Sequence, residues 1–146
     1  QRQMCIRDRW QAMTKQPGKW RFTSPTHVVH AFAQALIELK AEGGVTPRYE
    51  RYAANQALLS NGMQALGFDL VIDPAVQGPI ITSFKYPTQH FDFADFYQFI
   101  KERGFVIYPG KVSAIPSFRI GTIGDIHTAD IKRLLAIVSD YQQLNR

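Results

Sequence analysis

Phe118-Arg119-Ile120-Gly121-Thr122-Ile123-Gly124 is a short apolar run with one cation set into it. Phe118 and Ile120 fall on one face of an extended chain and Arg119 on the other, because strand side chains alternate. The run therefore reads as a strand that buries one face and holds an arginine on the opposite one. Tyr108-Pro109-Gly110-Lys111 lies on the preceding strand. A guanidinium is a planar fork of donors matched to a carboxylate, so Arg119 reads as an anion receptor. A structural salt bridge, to Asp125 or to a helix carboxylate, fits the pattern equally well.

Outward from that strand, short strand patterns alternate with helical ones. Strands are expected at 68–72, 80–84, 105–108 and 118–123. A helix is expected from Thr26, as its cap, to about Glu42. It is apolar on nearly every side through Val29, Phe32, Leu36, Ile37 and Leu39, as in a buried or interfacial helix. Gly43-Gly44 ends it, and Thr46-Pro47 opens the next. There Tyr52, Gln56, Leu59, Met63 and Leu66 form a narrow packing stripe, with Arg48, Glu50, Arg51 and Asn55 toward water. Asp92 caps a third helix that ends at Gly104, and a last one starts at Thr128. The order predicts an α+β layer: a small, mostly antiparallel sheet with helices on one face. Residues 1–9 share no period with the rest of the chain and look foreign to the domain. Residues 10–21, with Pro17-Gly18, read as irregular.

The bulk numbers fit one modest core. The chain has 146 residues, 45% of them hydrophobic, including ten Phe, six Tyr and two Trp. Its net charge is +5, but residues 1–9 supply a good part of that, and the remainder holds no basic stripe. Nucleic acid is therefore not the expected partner. No apolar run is long enough to span a bilayer, so no membrane partner is expected. The single cysteine, Cys5, rules out an internal disulfide and fits a cytoplasmic location.

Few other residues offer chemistry. His27, His30, His90 and His127 lack the spacing of a metal site, and no Gly-x-Ser-x-Gly elbow marks a nucleophile. In Gly18-Lys19-Trp20-Arg21-Phe22-Thr23-Ser24-Pro25-Thr26, hydroxyls gather just before a helix N-terminus, whose free N–H groups and partial positive charge suit a phosphate. Capping of the helix by the same hydroxyls is the plainer reading.

The block Gly18–His27, with Phe32-Ala33-Gln34-Ala35-Leu36 and Ala41-Glu42-Gly43-Gly44-Val45, resembles the C-terminal part of the 2-aminoethylphosphonate:pyruvate aminotransferases. Phe105-Val106-Ile107-Tyr108-Pro109-Gly110-Lys111-Val112 with Phe118-Arg119-Ile120-Gly121 is similar to the final strands of that family. The likeness covers about residues 10–141. It implies the small domain of a fold-type I, class V enzyme dependent on pyridoxal 5'-phosphate, acting as a homodimer on 2-aminoethylphosphonate and pyruvate. It also implies a division into an unmatched leader (1–9), the end of a large domain with an interdomain helix (10–44), and the small domain (45–146).

By the same resemblance, Arg119 matches the arginine that holds the substrate carboxylate, and Thr23 the threonine that reaches the cofactor phosphate of the neighbouring subunit. The lysine that forms the Schiff base lies upstream in the family. None of the seven lysines here, at 15, 19, 40, 85, 101, 111 and 132, matches it. The chain alone is then expected not to transaminate. Two other readings stay open: another class V enzyme of the alanine:glyoxylate type, and a free-standing α+β module that binds a small anion.

Overall fold

The computed structural model describes residues 2–20, 22–108 and 115–145, with side chains from Ile6 onward. Arg21 and the segment Pro109-Gly110-Lys111-Val112 of the family-like blocks lie outside the described residues. The chain divides into two compact units, residues 1–42 and 43–146.

The first unit holds two helices, α1 (Arg2–Lys15) and α2 (Thr26–Ala41). The expectation of an irregular stretch over residues 10–21 is corrected for residues 10–15, which belong to one helix with residues 2–9. No glycine or proline interrupts them, and Pro17-Gly18 supplies the stop, with Gly18 at φ +86°. α2 begins at Thr26 itself. Pro25, at φ −78°, precedes it, and no side chain caps its first turn. None of its residues is buried, and Val28, Val29, Phe32, Leu36 and Ile37 are all exposed.

The second unit carries the hydrophobic core. In chain order it comprises α3 (Val45–Ala65), a 3-10 turn (Pro74–Val76), β1 (Ile81–Lys85), α4 (Phe93–Glu102), β2 (Ser117–Gly121) and α5 (Thr128–Leu144). β1 and β2 form an antiparallel pair, with Thr82 opposite Ile120, Ser83 opposite Arg119, and Phe84 opposite Phe118. Two of the four expected strands reduce to single bridges, Leu70 to Phe84 and Tyr108 to Arg119. Each expected strand is flanked by turn residues, and the ladder stops after one pair.

Phe84, Phe118 and Ile120 turn one face of the sheet toward the helices. There they join Leu59 and Met63 of α3, Phe96 and Ile100 of α4, and Leu134 and Val138 of α5 in one buried cluster. Phe118 is its centre. Its ring lies 5.4 to 6.3 Å from those of Phe68, Phe84, Tyr86, Phe91, Phe93 and Phe96. Asp92 caps α4, its carboxylate accepting from the N–H of Ala94 at 2.8 Å and of Asp95 at 3.2 Å. α3 and α5 pack closely across Gly62, where a Cβ would come within 2.4 Å of a Leu135 methyl.

Candidate functional site

The register of β2 decides where Arg119 points. With Phe118 and Ile120 in the core, Arg119 lies on the opposite face of the sheet, half-buried. Its main chain is held on one flank by Tyr108: the Arg119 N–H donates to the Tyr108 carbonyl at 3.2 Å, and the Tyr108 N–H to the Arg119 carbonyl at 3.1 Å. On the other flank stands Ser83 of β1. The Nε of Arg119 is buried and, among the described residues, has no hydrogen-bond partner. Buried donors are almost always satisfied, so an orphaned guanidinium N–H is the mark of a group that awaits an acceptor.

Asp125, the nearest candidate for a structural salt bridge in the sequence, is engaged elsewhere. Its carboxylate lies 2.9 Å from Nε2 of His127. Among the described residues no ion pair joins it to Arg119.

The segment that leaves β2 is tied down from α3. Arg51 Nη1 donates to the carbonyls of Gly124 and Ile126, both at 2.8 Å, and the Asn55 amide to Ile126 at 2.7 Å. The Gly124 N–H donates to the Tyr52 hydroxyl at 3.2 Å. Asn55, expected to face water, is fully buried, because loop carbonyls at this position need donors. Thr122, also fully buried, donates its hydroxyl to the Pro79 carbonyl at 3.0 Å. The exit of the arginine strand is therefore fixed by side chains far away in sequence. A polar residue beside an apolar stripe is the one signal of this in the sequence, and spacing alone assigns it to solvent.

Thr23 lies in the first unit and is exposed, in the bend before α2. Pro25 has no N–H, the Thr26 N–H donates to the Ser24 carbonyl at 2.8 Å, and no side chain caps α2, which leaves the next N–H groups of its first turn and the hydroxyls of Thr23 and Ser24 as donors on one short stretch. Thr23 and Arg119 belong to different compact units.

A cavity of about 910 Å³ in the second unit is lined by Phe68, Phe91, Asp92, Asp95, Tyr141 and Gln142, among others, but not by Arg119. Its carboxylates have structural work. Asp92 caps α4, and Asp95 accepts the Tyr141 hydroxyl at 2.8 Å. Burial and the Asp95 carboxylate both push the Tyr141 hydroxyl well above its ordinary pKa. Among the described residues, no three His, Cys, Asp or Glu gather as a metal site. No described helix is long and apolar enough to cross a membrane.

This fold is that of the C-terminal region of fold-type I aminotransferases. An alanine–glyoxylate aminotransferase from Nostoc sp. superposes with a TM-score of 0.76 at 17% identity, over 90% of this chain and 34% of that one. An aspartate aminotransferase from Thermus thermophilus gives 0.72 at 22% identity, over 95% and 38%. No protein-family model matches the chain.

In sequence the chain resembles the C-terminal part of 2-aminoethylphosphonate–pyruvate transaminases. It is 80% identical over 147 aligned residues to that of Lactiplantibacillus plantarum, covering 99% of this chain and 40% of the relative. It is 60% identical to that of Bacillus cereus strain AH187 over 88% of this chain and 35% of the relative. For Bacteroides fragilis the identity is 56%, with 92% and 37% covered. The chain thus spans about two-fifths or less of the length of these relatives.

Proposed function

We propose that this chain is the C-terminal portion of a pyridoxal phosphate-dependent transaminase that moves an amino group from 2-aminoethylphosphonate to pyruvate, forming phosphonoacetaldehyde and alanine, as a cytoplasmic homodimer. The observation that carries the reading is the orphaned Nε of Arg119 on the sheet face away from the core. In a chain so similar to these transaminases, that donor set is the receptor for the carboxylate of pyruvate or alanine. The guanidinium binds the acid through paired N–H donors and orients its carbonyl carbon for amino-group transfer.

The residues of the first unit suit a phosphate. The hydroxyls of Thr23 and Ser24 and the uncapped N–H groups of α2 offer donors and a partial positive charge to a dianion, and Thr23 contributes this contact to the neighbouring subunit's cofactor. Pyridoxal phosphate, when bound, supplies the electron sink for amino-group transfer. The part played by this chain is binding and orientation, since none of its seven lysines matches the Schiff-base lysine of the family. Expressed alone, the chain does not transaminate.

The test is Arg119→Lys in the full-length enzyme. A point charge cannot reproduce the fork, so the pyruvate KM rises by about tenfold or more, the weight of a charge-assisted hydrogen bond. Steady-state kinetics with an unchanged pyruvate KM would remove Arg119 from the site.

A further inference from the structure

We infer that Ser83 is a second donor to the carboxylate held by Arg119, with the bare backbone of Gly121 leaving room for that carboxylate beside the guanidinium. This rests on Arg119 being the carboxylate receptor and extends that reading to the composition of the subsite.

Ser83 stands directly opposite Arg119 in the antiparallel pair, so both side chains project from the same face. The two possible kinds of opposed pair differ in closeness, and the hydrogen bonds tell which this is. The Ser83 carbonyl accepts from the Val71 N–H at 3.0 Å, and Arg119 bonds through its main chain to Tyr108. Each residue directs its backbone groups away from the other, which makes Ser83 and Arg119 a non-hydrogen-bonded pair. Such pairs bring Cα atoms to about 4.5 Å, closer than the roughly 5.5 Å of the hydrogen-bonded kind, to which Tyr108 belongs. Ser83 is therefore the nearest cross-strand neighbour of the receptor.

Chemistry and space agree with this placement. Ser83 is 5% exposed and stands directly opposite Arg119. Its neighbour is a guanidinium whose Nε is buried and, among the described residues, has no hydrogen-bond partner. A hydroxyl beside that unpartnered N–H suits a single carboxylate, whose two oxygens can take both donors. Two residues along β2 on the same face, Gly121 carries no side chain, and a Cβ there would meet nothing nearer than the Ile80 carbonyl at 4.0 Å. The site has a fork, a hydroxyl and a gap, which fits the carboxylate end of a short 2-oxo acid.

The experiment uses the full-length transaminase with pyruvate as the probe, and three single variants, Ser83→Ala, Ser83→Thr and Gly121→Ala, beside Arg119→Lys. Ser83→Ala raises the pyruvate KM about tenfold, the loss expected for one hydrogen bond to a charged group. Its melting temperature stays with the parent, and Ser83→Thr, which keeps the hydroxyl, restores the KM. Gly121→Ala, whose methyl the fold accommodates, also raises the KM. If Arg119→Lys raises the KM while neither Ser83→Ala nor Gly121→Ala does, the subsite is wrong and the arginine reading survives. A KM increase in Ser83→Ala that tracks a fall in melting temperature and is not rescued by threonine assigns Ser83 to structure and overturns the proposal. A pyruvate KM unmoved by Arg119→Lys defeats the underlying reading instead.

Discussion

Tyr141 couples α5 to α4 through one hydroxyl. Its O–H donates to Asp95 while its ring packs edge-on against Phe96 and Phe99. Because burial and the neighbouring carboxylate raise its pKa in the folded protein, the unfolded chain ionises first as pH rises. The stabilisation from this group is intact below about pH 10 and declines above it. Tyr86, raised by burial alone, acts with the same sign. Tyr141→Phe should therefore cost about 1.5–3 kcal/mol near neutral pH, the worth of one hydrogen bond to a charged group, and make the alkaline fall in melting temperature shallower. Thermal melts from about pH 8 to 11, spanning the ordinary tyrosine range, measure both effects, and an unchanged alkaline slope would refute the assignment. Asn55 shows how the residue scale hides from sequence. Its burial depends on the carbonyl of Ile126, 71 positions away, and no local period encodes that pairing.

The helices are the more legible elements. Asp92 as a cap, Gly104 as a stop and the Phe96–Ile100 face of α4 all follow from local chemistry, and so does the α5 face of Ile131, Leu134, Val138 and Tyr141. The strands expected at 68–72 and 105–108 are overdrawn, since alternation announces an extended chain but not how many residues find a ladder partner. The pairing of Ser83 with Arg119 is invisible for the same reason. Alternation sets Ser83 out of phase with Phe84, yet its neighbour is chosen by a strand more than thirty residues on. Close contact between α3 and α5 is likewise a tertiary fact. Gly62→Ala gains about 1 kcal/mol of helix propensity, but drives a Cβ to 2.4 and 2.7 Å from the Leu135 methyls, for which overpacking costs about 1–3 kcal/mol. A net loss of about 1 kcal/mol is expected, and it should vanish in a Leu135→Ala background. Denaturant melts of the double-mutant cycle test this, and strict additivity would show that the contact is not the cause.

At the scale of the molecule, every buried core residue among those described lies between Leu59 and Tyr141. Residues 43–146 by themselves should then show a cooperative thermal transition and dispersed amide resonances, and a spectrum typical of a collapsed, unpacked chain would contradict the division into units. The first unit owes its character to α2, whose exposed Val28, Val29, Phe32, Leu36 and Ile37 explain why the sequence reads that helix as buried or interfacial. The sheet, small as it is, has a kinetic consequence for the receptor it carries. With its N–H and C=O both bonded to Tyr108 and its strand in register with β1, Arg119 has a stationary Cα. The guanidinium can adjust to an arriving anion only by turning about its own side-chain bonds. That is a side-chain rotation, whereas collective backbone shifts take about microseconds or longer. The arginine is a swivel on a fixed post, and its response to an anion is as quick as a rotamer change.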